Sequence, residues 1–316
     1  MDLVCEFKFM PHDDPKVVKQ LVWDRFRTSD RYRDIVVEKN RCVEIRYIGD
    51  FHMDVMPCVP GKPGWTRVGS VWVPDKKLDT WKPSNPKGFA QFVETAAAKQ
   101  PMQKMVFANA MEARAADVQP LPAEQSFTKP ALIRVIQILK RHRDEFFRDN
   151  HNMTPISVII TTLATHSYTR VVAAQEFDSV YDLMLEVVAR MPEHIAVRQN
   201  AQFWIANPSQ PEENFSERWN NDPTLANWFF TWHRKVTGEL KALAEQEVEG
   251  LDNFGTVLEN SFGAQAANAA VRALSSSVKN STALGKTRIT SAGLVVPAAF
   301  GIKTAAAAPP HTNFGS

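Results

Sequence analysis

The sequence predicts an α+β protein: a small mixed sheet carrying carboxylates, packed against a mostly helical lobe. Three observations lead there. Met1–Phe7 and Phe51–Cys58 are apolar strand-like segments, with Asp2 near the start of the first and Asp54 inside the second. Residues 35–39 and 41–48 alternate apolar and polar side chains at a period of two. From about residue 131, apolar positions recur at helical spacing through most of the chain.

Taken in order, residues 1–7 form the first strand. Pro15 to about Ser29 forms an amphipathic helix with Val18, Leu21, Val22, Arg25 and Phe26 near one face, the charged Arg25 and Arg27 toward its solvated edge. Val36 and Val37, then Cys42, Val43, Ile45 and Tyr47, mark two strands, and Gly49-Asp50 turns the chain into the strand at 51–58. Alternation puts His52, Asp54 and Met56 on one face of that strand, with Phe51, Met53 and Val55 on the other. A Pro/Gly loop at 60–64, a short strand at 71–74 and an irregular segment at 81–88 lead into a helix at about 89–99. Gln119–Pro122 and Thr128–Pro130 mark a connection. Helices are expected at 131–148, 155–168, 177–190 and 223 to about 248. From Ser275 the composition turns to Ser, Thr, Ala and Gly, which predicts a flexible tail. The expected divisions are a sheet domain over 1–118, a helical nucleotide-binding lobe over 119–273, and a tail over 274–316.

A chain of 316 residues with 44 % apolar content is long enough for two units with cores. The net charge of +2 is too balanced for a protein that coats nucleic acid. Three widely spaced cysteines, Cys5, Cys42 and Cys58, lack zinc-site spacing, and Cys5 and Cys58 read as buried free thiols. No signal-peptide pattern opens the chain and no run of about 18 apolar residues spans a bilayer. A reducing cytoplasm and no membrane partner are therefore expected.

Acids inside apolar strands are costly to bury unless paired. When two such strands lie side by side, a divalent metal ion is the usual partner. Nucleotidyl transfer uses two Mg²⁺ ions held by shared aspartates, one steadying the attacking hydroxyl and one the triphosphate. In that reading Asp54 ligates the ion nearest the hydroxyl and Asp2 bridges both. The alternative is a solvated Asp2 and a locally paired Asp54. Lys140, on the helix Lys140-Arg141-His142-Arg143-Asp144, and Ser157, in the first turn of the next helix, suit phosphate oxygens. Taken alone, a solvated charged face and a capping Ser or Thr explain them better. Trp81 with Ser84-Asn85-Pro86, and Asn207-Pro208 with Glu213-Asn214-Phe215, are loops able to wall a base pocket, or plain turn chemistry. His142, His151, His166 and His233 show no ligand spacing and read as structural or surface residues.

These pieces in this order resemble the bacterial cyclic-oligonucleotide synthases, the cyclic GMP–AMP synthase/DncV-like nucleotidyltransferases of anti-phage signalling. The residues that carry the resemblance are Asp2–Phe7, Phe51–Pro57, Trp81 with Ser84–Phe89, Leu139–Asp144, Pro155–Ser157 leading into Thr161–Ala164, and Asn207-Pro208 with Glu213–Phe215. It runs from residue 1 to about 265. It implies a nucleotidyltransferase palm sheet packed on the helical lobe, with nucleotides in the cleft between them. Asp54 then takes the role of the third catalytic aspartate and Asp2 of the second. Lys140 and Ser157 take the donor triphosphate, Ser84 and Asn85 fall where a base pocket is lined, and Mg²⁺ or Mn²⁺ is the cofactor. The product is a cyclic di- or trinucleotide made from ATP, or from GTP, CTP or UTP. It acts through a separate effector, with no DNA template.

The family's Gly-Ser turn and the first aspartate of its Asp-x-Asp pair lie upstream of residue 1 in this alignment of motifs. The expectation is a start assigned too late, with the chain as written poorly active and an upstream-extended product active. Pro309–Ser316 suggests an attachment point for a modifying enzyme or a docking peptide for a regulatory partner. Two other functions are compatible with these residues: a template-free RNA-extending nucleotidyltransferase, and a non-catalytic nucleotide-binding relic.

Overall fold

The computed structural model describes residues 2–8, 14–48, 52–61, 68–75, 80–102, 129–245, 250–283, 287–290, 295–297 and 304–307. The predicted connection at 119–128 and the segment 309–316 lie outside them. The chain forms two compact units, Met1–Thr95 with Trp204–Phe215, and Ala96–Phe203 with Ser216–Ser316.

The first unit holds a six-stranded mixed sheet: β1 (Asp2–Glu6), β2 (Val36–Glu38), β3 (Val43–Arg46), β4 (His52–Pro60), β5 (Val71–Asp75) and β6 (Thr80–Ser84). The order is β2-β3-β4-β5-β6, and β1 runs parallel to β4. Asp54 and Val55 pair with both β1 and β3, so those two strands flank opposite edges of β4. Helix α1 (Pro15–Arg27) starts where the Asp14 carboxylate accepts from the Lys16 N–H and Pro15 presets the first turn. Val22 of α1 packs with Val36, Val43, Ile45 and Val55 of the sheet, and Cys5, Met53 and Phe26 close over them. The predicted face of α1 is partly corrected. Leu21 is 45 % exposed, whereas Lys19 is buried. Its ammonium bonds the carbonyls of Lys39 and Asn40 and pairs with Glu38 at 3.3 Å, so a charged side chain fills the core-facing position.

The segment 81–88, expected to be irregular, is corrected as well. It contains β6, which tolerates Pro83 because it ends the order of the sheet. Helix α2 (Pro86–Ala97) begins three residues early. Asn85 caps it, accepting from the Gly88 N–H at 2.9 Å, and Pro86 occupies the first helical position. Residues Ala206–Asn207 and Gln210–Asn214 form a hairpin within this unit. It is fastened by Ser70 Oγ to Gln210 Oε1 at 2.9 Å and Ser84 Oγ to Glu213 Oε2 at 3.0 Å.

The second unit is helical: α3 (Ala131–Phe146), α4 (Ser157–Ala174), α5 (Val180–Arg190), α6 (Glu217–Asn221), α7 (Pro223–Glu245), α8 (Gly250–Phe262) and α9 (Ala264–Ala283). Leu132, Leu139, Ile160, Leu163, Leu183, Val187, Phe229 and Trp232 are each fully buried. Helix α4 is apolar on nearly all sides, as its composition predicts. The tail expected from residue 274 instead continues as α9, whose Ala267 and Leu274 are buried at heptad spacing. Strands Thr287–Thr290, Val295–Pro297 and Thr304–Ala307 then form a small antiparallel sheet. An alanine- and serine-rich stretch can hold a packed helix because small side chains allow close approach, a preference that composition alone hides.

Candidate active site

Strand β4 organises the site. Its Val55 faces the apolar cluster under α1, and Asp54, by alternation, projects to the other face. The Cα partner of Asp54 is Asp2 on one side and Glu44 on the other. Three neighbouring strands thus carry acidic residues at one level. Arg46 is the Cα partner of His52 in the same hairpin. One ligand atom from each of Glu44, His52 and Asp54 lies within 4.8 Å of the others. Two carboxylates and an imidazole at that spacing match the donor set of a divalent cation.

The surrounding charges tune this cluster. Glu44 accepts from Arg46 Nε at 2.6 Å and pairs with Lys39 at 3.3 Å. Burial pushes the Glu44 carboxyl up, but the hydrogen bond from Arg46 and the charge of Lys39 outweigh it and hold the group below its ordinary range. Burial pushes the Cys42 thiol up to about 12, and the carboxylates of Asp54 and Glu44 push the same way. The thiol therefore stays protonated and donates to Asp54. Cys42 and Cys5 are free and half-buried, so the prediction of a buried thiol holds for Cys58 and not for Cys5.

The turn that feeds β3 into the site is pinned from two directions. Lys19 reaches it from α1 through the carbonyls of Lys39 and Asn40. From β5, the buried Asp75 carboxylate accepts from Asn40 Nδ2 at 3.1 Å and Arg41 Nε at 3.2 Å. Arg41 also lies 3.6 Å from Glu213.

The remaining sequence-predicted residues fall in two places. Ser84 and Asn85 sit together at the junction of β6 and α2. The Ser84 hydroxyl is given to Glu213, which also accepts from Asn207 Nδ2 at 2.8 Å. Asn85 caps α2 with its oxygen and donates to the Val68 carbonyl at 3.1 Å with its nitrogen. In the helical unit, Ser157 opens α4 and its Oγ accepts from Arg143 Nη1 at 2.7 Å. Lys140 lies on α3 one turn before Arg143 and is half-buried. Of the four histidines read as structural or surface residues, His142 and His233 are buried, each hydrogen-bonded. His166 stacks on His194 and His151 is exposed.

Sequence reasoning missed Glu44 and His52. The signal was available: Glu44 and Asp54 stand five residues either side of Gly49, so a tight turn there makes them cross-strand neighbours.

Comparison with known proteins identifies this arrangement. Residues 1–96 match the Second Messenger Oligonucleotide or Dinucleotide Synthetase domain. A c-di-GMP synthase of Roseivirga ehrenbergii is 26 % identical over 268 residues, covering 83 % of this chain and 66 % of the relative. The cyclic dinucleotide synthase CdnG of Bradyrhizobium diazoefficiens is 25 % identical over 308 residues, covering 89 % of this chain and 70 % of the relative. The solved structure of that CdnG, in complex with GTP, superposes with a TM-score of 0.62 at 19 % identity, over 86 % of this chain and 77 % of the other. The chain thus spans about two thirds of the length of the curated relatives it matches. Residues 1–96 thus combine the paired acidic strands with a match to that synthetase domain. The chain is thus similar to the CD-NTases, the cyclic GMP–AMP synthase/DncV-like nucleotidyltransferases that its sequence motifs resemble.

Proposed function

We propose that the protein joins nucleoside triphosphates into a cyclic di- or trinucleotide second messenger. The observation that carries this reading is the register of Asp2, Asp54 and Glu44 on three adjacent strands of the matched domain. Both relatives are named for cyclic dinucleotide synthesis and one is solved with GTP, which favours GTP among the substrates.

Asp54 and Asp2 hold the catalytic Mg²⁺ or Mn²⁺. The bound ions supply Lewis-acid activation of the attacking hydroxyl and charge neutralisation on the triphosphate. The protein's own part is positioning. Asp54, a short side chain on a central strand, fixes where the attacking hydroxyl is held. Cys42, as a protonated donor, orients the Asp54 carboxylate. Lys140 and Ser157 bind donor phosphate oxygens, with Arg143 fixing the Ser157 hydroxyl. Ser84 and Asn85 wall the base pocket, chiefly by setting the start of α2. The product acts through a separate effector in anti-phage signalling in the cytoplasm. Among the described residues no helix is long and apolar enough to cross a membrane.

The test incubates the protein, in the full length its gene encodes, with each labelled ribonucleoside triphosphate and Mg²⁺ or Mn²⁺, followed by phosphatase and chromatography. A phosphatase-resistant product that disappears in Asp54→Asn is expected. A ladder of lengthening linear products would select the RNA-extending reading. Nucleotide binding without pyrophosphate release would select a non-catalytic binder.

A further inference from the structure

We propose that the stacked imidazoles of His166 and His194 form an acid-sensitive latch in the helical unit. When neutral they hold the turn Met191–His194 on α4, and when both are protonated they free the segment that follows, residues 195–203. The latch is built from residues that the proposed reaction does not use, and its test needs no nucleotide.

His166 and Arg170 stand one turn apart on α4 and so share a face. The 3₁₀ turn Met191–His194 continues α5 and lays Glu193 and His194 against that face. The two imidazole centroids are 5.5 Å apart, with planes 29° from parallel. Beside them Arg170 Nη1 donates to Glu193 Oε2 at 2.5 Å. Met191 is fully buried and anchors the start of the turn, so the stack and the ion pair hold its end. The segment that follows is tight. The Arg198 N–H donates to the Gln202 carbonyl at 2.8 Å, with Asn200 at φ 64° and Ala201 at φ 58°. Both are left-handed, a conformation that alanine keeps only where its neighbours are fixed. The far end is fixed by Asn220, which accepts from the Phe203 N–H at 2.8 Å and donates to its carbonyl at 3.0 Å. The near end is fixed by the turn, where the Ile195 N–H donates to the Pro192 carbonyl at 3.1 Å.

Protonation works against this packing. Two positive rings 5.5 Å apart repel each other. The buried His194 Nε2 meets no hydrogen-bond partner among the described residues, so a proton placed there would have no acceptor. The nearby counter-charge is already committed. Glu193 serves Arg170 and lies 3.6 Å from Arg190, and Glu186 accepts from Arg190 Nε at 3.2 Å. Of the helices packed on α4 and α5, α3 brings Arg134, which acts on Tyr168. Helix α7 brings His233, bonded to the Val188 carbonyl at 2.7 Å, with Arg234 beside it. These neighbours are basic. Burial pushes His166 below its ordinary 6.5, and His194 pushes the same way. Burial also pushes His194 down; Glu193 opposes the shift and Arg170 adds to it. A histidine depressed in the folded state stabilises fully above 6.5 and loses that contribution as pH falls through its folded value, because the unfolded chain takes the proton first.

The experiment uses the full chain. Proton NMR follows the imidazole signals of His166 and His194 from pH 8 to pH 5. Hydrogen exchange, corrected for the intrinsic pH dependence of amide exchange, follows residues 195–203 at pH 7.5 and pH 5. Both rings should titrate below 6.5. Opening of residues 195–203 should increase about tenfold at the lower pH. His194→Phe keeps an aromatic ring against His166 but takes up no proton. In that variant the acid-induced opening should vanish and His166 should titrate closer to 6.5. Either ring titrating at or above 6.5 in the wild type overturns the inference, as does exchange at residues 195–203 that is the same at both pH values. If His194→Phe does not fold, those two wild-type measurements decide alone. Acid-induced opening that persists in a folded His194→Phe protein assigns the response to His233 and overturns the latch.

Discussion

Asp2 and Asp54 are Cα partners in the parallel pair β1–β4, and Asp54 is at the same time the Cα partner of Glu44 across β3–β4. A central-strand carboxylate thus has an acidic position on either side. Like charges at neighbouring sheet positions destabilise a fold. Lys39 and Arg46 offset part of that repulsion at Glu44, and a cation bound at Asp54, as proposed above, would offset the rest.

Asp54→Asn should therefore separate stability from function. Without divalent ions the variant should melt at or slightly above the wild-type temperature, because a repulsion has been removed. Adding Mn²⁺ should stabilise the wild type, by about 2.7 kcal/mol at one hundred times Kd, and leave the variant unmoved. Product formation should fall by roughly two to four orders of magnitude. Thermal melts with and without Mn²⁺ check the first part. An equal ion-induced shift in both proteins would remove Asp54 from the metal site.

Lys19→Met tests the pinning of the β2–β3 turn. The buried ammonium serves two carbonyls and Glu38. Methionine keeps an unbranched apolar stem one atom shorter and leaves those acceptors without their donor, at a cost of about 1–3 kcal/mol. Urea unfolding measures this. The turn carries Cys42 and leads into Glu44, so Mn²⁺ affinity should fall with stability in Lys19→Met, although Lys19 touches none of the ligands.

The legible parts of the sequence were those with a clear period or a strong local signal. The β3–β4 alternation showed which face carries Asp54, and the helices read at 131–148 and 155–168 are observed over 131–146 and 157–174. The buried Lys19 was hidden because periodicity scores lysine as polar, whereas its acceptors come from a turn twenty residues away. Strand β6 was masked by Pro83, which only sheet order makes acceptable. The capping role of Asn85 could have been read from Asn-Pro-x-Gly, but its second contact, to Val68, depends on tertiary folding. Glu44 and His52 escaped because attention to aspartates on apolar strands passes over a glutamate flanked by basic residues.

Gly88→Ala should be costly for a reason local to α2. An added Cβ would stand 2.7 Å from Ser209 Cβ and 2.9 Å from the Asn85 oxygen that caps the helix. Relieving that overlap displaces either the hairpin turn at Ser209 or the cap itself. A loss of about 1–3 kcal/mol is expected from denaturant unfolding. Ser209→Gly in the same chain should restore part of it, and a double-mutant cycle showing no coupling would refute the close approach.

The second unit carries a buried network whose protonation should govern its acid stability. Trp232 Nε1 donates to His142 Nδ1 at 3.0 Å, so Nδ1 is an acceptor and the imidazole proton sits on Nε2. Nε2 then donates to Glu239 at 2.8 Å, and Ser261 and Lys235 engage the same carboxylate at 2.6 and 2.8 Å. Burial pushes Glu239 up, but the hydrogen bonds from His142, Lys235 and Ser261 outweigh it and hold its pKa at about 2. A carboxyl depressed in the folded state stabilises fully above its unfolded value near 4.5, and the contribution drains away as pH falls toward 2. In that window the unfolded chain binds the extra proton, so unfolding free energy falls with falling pH. Glu239→Gln cannot take up that proton. It should be less stable than wild type at pH 7 and show a flatter profile below pH 4.5, the two curves converging near pH 2. Urea titrations at pH 7, 4 and 3 measure this directly. A constant gap between the two proteins across that range would mean that Glu239 contributes by packing and neutral hydrogen bonding rather than by its charge.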